Sequence, residues 1–114
     1  MANVKLDWMN PDATDIEHIK VFRFEGDYTA LSTADGTIDL SNTDGADGRL
    51  LDAANASKFV GLTGAAELTS QDYTAAGAGT FEDSTAVIGQ TYVYGVFSHN
   101  SGGYGPGELE GQTV

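Results

Sequence analysis

Apolar and polar residues alternate near both ends of this chain, and the alternation fades in its middle. Val4, Leu6 and Trp8 alternate with Lys5, Asp7 and Met9. A period of two sends one set of side chains to each side of an extended backbone, which predicts a strand with one buried face. Asn10-Pro11-Asp12 through Asp15 is turn chemistry. Ile16 to Phe24 is rich in β-branched and aromatic residues and predicts a second strand, ended by Gly26-Asp27. Thr80 to Asp83, Thr91 to Ser98 and Glu108 to Val114 predict three more.

From Ser32 to Gly79 the chain is rich in Ala, Gly, Thr, Asp and Asn. Asp35-Gly36, Asp44-Gly45 and Asp47-Gly48 are closely spaced turn signals. Between and after them the pattern predicts a short strand over Thr37–Leu40. It also predicts a short helix over Arg49–Lys58, with Asp47 near its cap and Leu50, Leu51 and Ala54 on one face. Phe59–Leu62 and Glu67–Tyr73 read as further extended pieces. A structureless connection this long is uncommon in a compact domain, so residues 32–79 read as a folded insertion. Short strands with little helix predict an all-β, two-sheet antiparallel sandwich.

The spacing at the end of the chain carries a resemblance. Phe81, Asp83, Gly89 and Tyr92 stand at the offsets of the corner between the fifth and sixth strands (E and F) of fibronectin type III domains. Asn100-Ser-Gly-Gly-Tyr-Gly-Pro106 resembles that family's turn between strands F and G. Val4-x-Leu6-x-Trp8-x-x-Pro11 is similar to its strand B, and Ile16-x-x-Ile19-x-Val21-x-Arg23 to its strand C. The resemblance covers residues 3–31 and 79–114. It implies a fibronectin type III-like sandwich over residues 1–114, with a long insertion between strands C and E. Only seven residues precede Trp8, so the family's first strand is expected to be lacking and strand B to be an edge.

In such a corner the tyrosine ring is buried and its hydroxyl bonds nearby backbone, fixing the passage of the chain from sheet to sheet. Tyr92 is therefore expected to be structural. Gly89 allows the tight turn ahead of it, and Trp8 is expected in the core. The same register turns Ile19, Val21, Tyr92, Tyr94 and Val96 inward. Phe22, Phe24, Val93 and Phe97 then share the outer face of one sheet. Two readings stay open for these four: the insertion covers them as a third layer, or they form a contact face for a partner subunit. The free edge of strand B is either covered by the chain itself or accepts a strand from another chain.

Composition narrows the function classes. The chain has 114 residues, 40% hydrophobic, no cysteine and a formal charge of −12 from 17 acids and 5 bases. Without cysteine there is neither a disulfide nor a thiolate metal site. The acidic balance disfavours nucleic acid and anionic membranes as partners. No apolar run approaches the length of a membrane span, and MANVKLDWMN does not read as a secretory signal. The acidic run Asn42 to Asp52 does not fit the ligand spacing of a calcium loop in either glycine register. His18 and His99 are the two imidazoles, one within a predicted strand and one at a turn. No Gly-x-Ser-x-Gly elbow or phosphate loop is present. The expectation is a non-enzymatic module without cofactor or metal that binds protein subunits of a larger assembly, with homo-oligomers possible. The combination of such a domain with small size, an acidic balance, no cysteine, no secretory signal and a lacking first strand is similar to small virion proteins of tailed bacterial viruses, such as head decoration or tail-surface proteins, which implies a virion-surface location. Two alternatives remain: a secreted glycan- or surface-binding module using Tyr28, Tyr73 and Tyr104, and a filament subunit assembled by strand exchange.

Overall fold

The computed structural model describes residues 2–44 and 48–114. In chain order the elements are β1 (Ala2–Asn10), β2 (His18–Glu25), α1 (Tyr28–Ala34), β3 (Thr43–Asp44) and β4 (Gly48–Leu51). α2 (Ala53–Val60), β5 (Ala65–Asp72), β6 (Gly77–Ala86), β7 (Thr91–Asn100) and β8 (Gly103–Thr113) follow. Two antiparallel sheets form a sandwich. One holds two strands in the order β1-β6, the other six in the order β3-β4-β8-β7-β2-β5.

The alternation read from the sequence places the inner core. Ile19, Val21, Tyr92 and Tyr94 are buried on the inner face of the six-stranded sheet. Val4, Leu6, Leu68 and Val114 pack around the Tyr92–Tyr94 cluster. Trp8 is half-buried, lying across its cross-strand partner Gly79, with its Nε1–H donating to Asn10 Oδ1 at 2.7 Å. An indole covering a cross-strand glycine supplies the contact that the glycine lacks.

The insertion forms a third layer on the opposite face. Leu31 of α1, Ile38, and Ala56 and Phe59 of α2 cluster with Phe22, Phe24, Val93, Phe97, Leu51 and Leu109. Phe59 stacks at 5.5 Å from Phe97 and 6.4 Å from Phe24. Of the two readings of the outer aromatic face, the covering layer is the one observed. Phe22 and Phe97 are 6% and 0% exposed, so these four residues are interior and are not available as a partner-contact face. The reason is a matter of area: four large apolar side chains on one sheet face need a lid, and the amphipathic α2 provides it.

Within the insertion several expectations are corrected. Arg49, Leu50 and Leu51 belong to strand β4 and the helix starts later, because Asp52 accepts from Asn55 N–H at 2.9 Å and caps it there. Asp47, expected near that cap, lies outside the described residues. Leu50 and Leu51 alternate as strand residues: Leu51 is buried under the helical layer, and Leu50, on the opposite, inner face of the sheet, is exposed. Thr37–Leu40 is a turn around the buried Ile38, held by Asp35 accepting from Thr37 N–H at 2.9 Å. Phe59 and Val60 belong to α2, and Gly61 caps it. The helix α1 was not anticipated. Its signal was Asp27, which looked like the end of a strand and is the N-cap, accepting from Ala30 N–H at 2.8 Å.

Candidate functional site

Two polar constellations and one open groove account for the chemistry-bearing residues. The first constellation clamps the two sheets. Asp83 of β6 is 2% exposed and lies beneath β2 and β7. Its carboxylate accepts from Arg23 Nη1 at 2.8 Å, Tyr94 OH at 2.8 Å, Thr85 N–H at 2.9 Å and Thr85 Oγ1 at 2.7 Å. Burial alone would raise its pKa; the hydrogen bonds from Thr85, Tyr94 and Arg23 outweigh burial and lower it to about 2. Burial and the neighbouring carboxylate push the Tyr94 hydroxyl well above its ordinary value. The Arg23 guanidinium also lies 4.6 Å over the Tyr92 ring. A carboxylate so fully engaged is a clasp, with no lone pair directed at a substrate.

The tyrosine corner has its expected geometry. Tyr92 is 3% exposed and its hydroxyl accepts from Val87 N–H at 3.2 Å. Gly89 adopts φ +90°, a conformation that side-chain-bearing residues avoid.

The second constellation lies where β2 and β7 pair beside the β7–β8 hairpin. His18 and His99 are register partners with rings 5.8 Å apart, and His99 packs edge-on against Tyr104 at 4.7 Å. Burial, then Lys20 and His18, lower the pKa of His99. A cavity of about 430 Å³ opens here, lined by Pro11, Asp15, His99 and Tyr104 among others. The three tyrosines considered for glycan binding do not form a row. Tyr104 packs edge-on against Phe22 and Phe97. The Tyr73 hydroxyl donates to the Pro11 carbonyl and ties down the β1–β2 turn. Tyr28 packs against Gly111 under the Arg49 guanidinium, 4.5 Å from its ring.

Several acids in and just before the insertion have local roles. Asp27 and Asp52 cap helices, and Asp35 and Asp39 each accept the N–H two residues on. These bonds lower the pKa of Asp35 and Asp39. Among the described residues no three His, Cys, Asp or Glu side chains converge as metal ligands.

The groove is the feature that sequence reasoning located only in part. Two strands cannot cover six. β6 lies over the β2–β7–β5 side, as the Asp83 contacts and Gln71 Nε2 donating to Thr80 O at 3.0 Å show. Beyond β1 the inner face of β8 and β4 is uncovered. Glu108 pairs with Val96 and Leu50, and Glu110 with Tyr94, so both glutamates and Leu50 share the inner face. All three are exposed. A cleft of about 490 Å³ runs between this face and Leu6, Trp8 and Met9 of β1. Met9 and Leu50 are 73% and 38% exposed at its rim. Among the described residues β1 pairs with β6 alone. The edge could be read from the sequence; the groove beside it could not, since it depends on β4 extending the opposite sheet.

Compared with known proteins, the chain matches no family model, no curated protein and no solved structure.

Proposed function

We propose that this chain is a non-enzymatic assembly module that seats a protein neighbour on the open side of its sandwich, beyond β1. The observation that carries the reading is the uncovered inner face at β8 and β4, where Leu50 and Met9 stand exposed beside an apolar cleft. Exposed apolar groups gathered around one concavity mark contact surfaces more than scattered ones do. Several polar groups are engaged structurally: Asp83 in the inter-sheet clasp, Asp27 and Asp52 in helix caps, and Asp35 and Asp39 in turns. The fibronectin type III-like resemblance, the acidic surface and the absence of cysteine support a virion surface as the setting, as a capsid decoration or tail-surface subunit.

Native mass measurement on material from the producing source tests the reading. The chain is expected in a particle far larger than its own 11.9 kDa. It should leave that particle in mild chaotrope with its own fold intact. Leu50→Lys with Met9→Lys should weaken the association while leaving the melting temperature of the isolated chain nearly unchanged, because both side chains are exposed. A free monomer in the native source overturns the proposal.

A further inference from the structure

We infer that His18 and His99 form a two-imidazole site for a borderline divalent transition-metal ion, of which Zn²⁺ is the type. The site is separate from the groove beside β1, and the inference does not rest on the assembly reading.

Three observations converge. The first is register. His18 pairs with Asp72 on β5 and with His99 on β7, and His99 pairs with Tyr104 on β8. Four neighbouring strands thus bring one ionisable side chain each to a single cross-strand row. The row continues the outer face past Phe22, whose ring meets Tyr104 edge-on at 5.8 Å. Directly paired residues on neighbouring strands stand side by side, and the two imidazole centres are 5.8 Å apart. Zinc sits about 2.0–2.1 Å from an imidazole nitrogen and so roughly 3.2 Å from the ring centre; two rings on one tetrahedral ion have centres about 5.2 Å apart. Small rotations about χ2, a soft torsion, close the difference.

The second is the state of the nitrogens. Nδ1 of both rings is enclosed and has no hydrogen-bond partner. A buried acceptor without a donor is costly and uncommon in a native fold. Here two stand on paired residues, and one metal ion satisfies both lone pairs at once.

The third is what surrounds them. Asp72 Oδ1 stands 3.6 Å from His18 Nε2. A ligating histidine characteristically turns its other ring N–H to a carboxylate, which fixes the tautomer and leaves the opposite nitrogen for the metal. His18 has that arrangement in a loose form, and the Asp72 side chain, 90% exposed, is free to close on it. Lys20 is the cation beside the pair, and Glu67 Oε1 holds its ammonium at 3.1 Å. Glu17, which accepts from Ser101 N–H at 2.6 Å, adds a third acid with Asp72 and Glu67. Acids therefore outnumber the lysine around the pair, which favours a cation.

These features choose the ion. Two imidazoles without a thiolate suit Zn²⁺, Ni²⁺ and Cu²⁺, whereas Ca²⁺ and Mg²⁺ want oxygen ligands. Two protein ligands leave the other positions of a tetrahedral ion to water. Bound there, the ion clips β2 to β7 at the level of the β7–β8 hairpin.

Calorimetric titration of the full chain with zinc chloride at pH 7 tests the site. One ion per chain is expected, undisturbed by excess Ca²⁺ or Mg²⁺. His18→Asn and His99→Asn should each abolish the event, and Asp72→Asn should weaken it about tenfold. Paramagnetic Ni²⁺ should broaden the ring resonances of both histidines in the unaltered chain before any others. That measurement needs no variant, so it decides the matter if H99N fails to fold.

Several results overturn the inference. One is no binding at millimolar Zn²⁺. Binding kept by both histidine variants, or displaced by Ca²⁺, puts the ion on the acidic surface instead. One ion shared between two chains makes it a bridge between copies through the half-exposed His18. Unchanged affinity in D72N would mean that His18 does not bind through Nδ1, against the geometry above.

Discussion

At the scale of single residues, Asp83 joins the two layers more directly than any other side chain. It accepts from an arginine on β2, a tyrosine on β7 and a threonine on its own strand, all while 2% exposed. Its folded pKa of about 2 lies below the ordinary value of 3.8. A depressed acid contributes stability that is fully present above its unfolded pKa and is lost as pH falls through the folded one. The window is therefore pH 3.8 down to about 2, and the lost stability is about 2 kcal/mol. Urea midpoints measured across that range are expected to fall, with Asp83→Asn showing a flatter profile. At pH 7 the same variant is expected to cost about 3 kcal/mol, since it leaves Arg23 beneath the sheet without its counter-charge. If D83N melts like the parent at pH 7, the clasp is not what holds the layers. Tyr92→Phe is a smaller change. It removes the acceptor for Val87 N–H while keeping the ring, and is expected to cost about 1 kcal/mol in the same melts.

At the scale of elements, α2 decides what kind of face the six-stranded sheet presents. Phe59 is fully buried between Phe24 and Phe97. Truncating it to Ala removes a large buried ring and should cost about 3–5 kcal/mol. Changing Phe22 and Phe97 to Ser together should unfold the isolated chain, read as loss of a cooperative melt. A soluble, folded double variant would mean that the helical layer is dispensable. The strands flanking the insertion were legible because alternation survives in them: Val4, Leu6 and Trp8 face inward as their spacing says. Even the register of Phe22, Phe24, Val93 and Phe97 was readable, although not what lay on top of them. Inside the insertion the signals were ambiguous for a physical reason. Asp-rich turns and helix caps use the same chemistry, an aspartate accepting an N–H two or three residues on. Composition alone could not tell the cap at Asp27 from a strand-ending turn.

At the scale of the molecule, the unequal sheets and the acidic surface set how the chain meets its surroundings. The tyrosine corner was visible in local spacing; Asp83 stood in the same motif, but its bond across to Arg23 and Tyr94 was not legible there. The groove was not, because it arises from a long-range pairing, β4 with β8, that no local pattern encodes. The charge leads to a separate expectation about the free chain. Its principal extents are 38 × 31 × 26 Å. At about 0.01 M salt the screening length is roughly 30 Å, so every carboxylate feels the others; at about 0.15 M it shrinks to roughly 8 Å. Net self-repulsion from a formal charge of −12 opposes the compact state, and screening relieves it. The attractive pairs pull the other way, though weakly. Lys20–Glu67 is partly exposed and contributes at most about 1 kcal/mol, and Arg23–Asp83 is enclosed and poorly screened. Repulsion is the larger salt-sensitive quantity, so stability should rise on the order of 1 kcal/mol between those salt concentrations. Urea midpoints in sodium chloride at pH 7 check this, with dilute protein so that association plays no part. A midpoint that falls with added salt would show that specific ion pairs, and not the net charge, dominate the electrostatics of this fold.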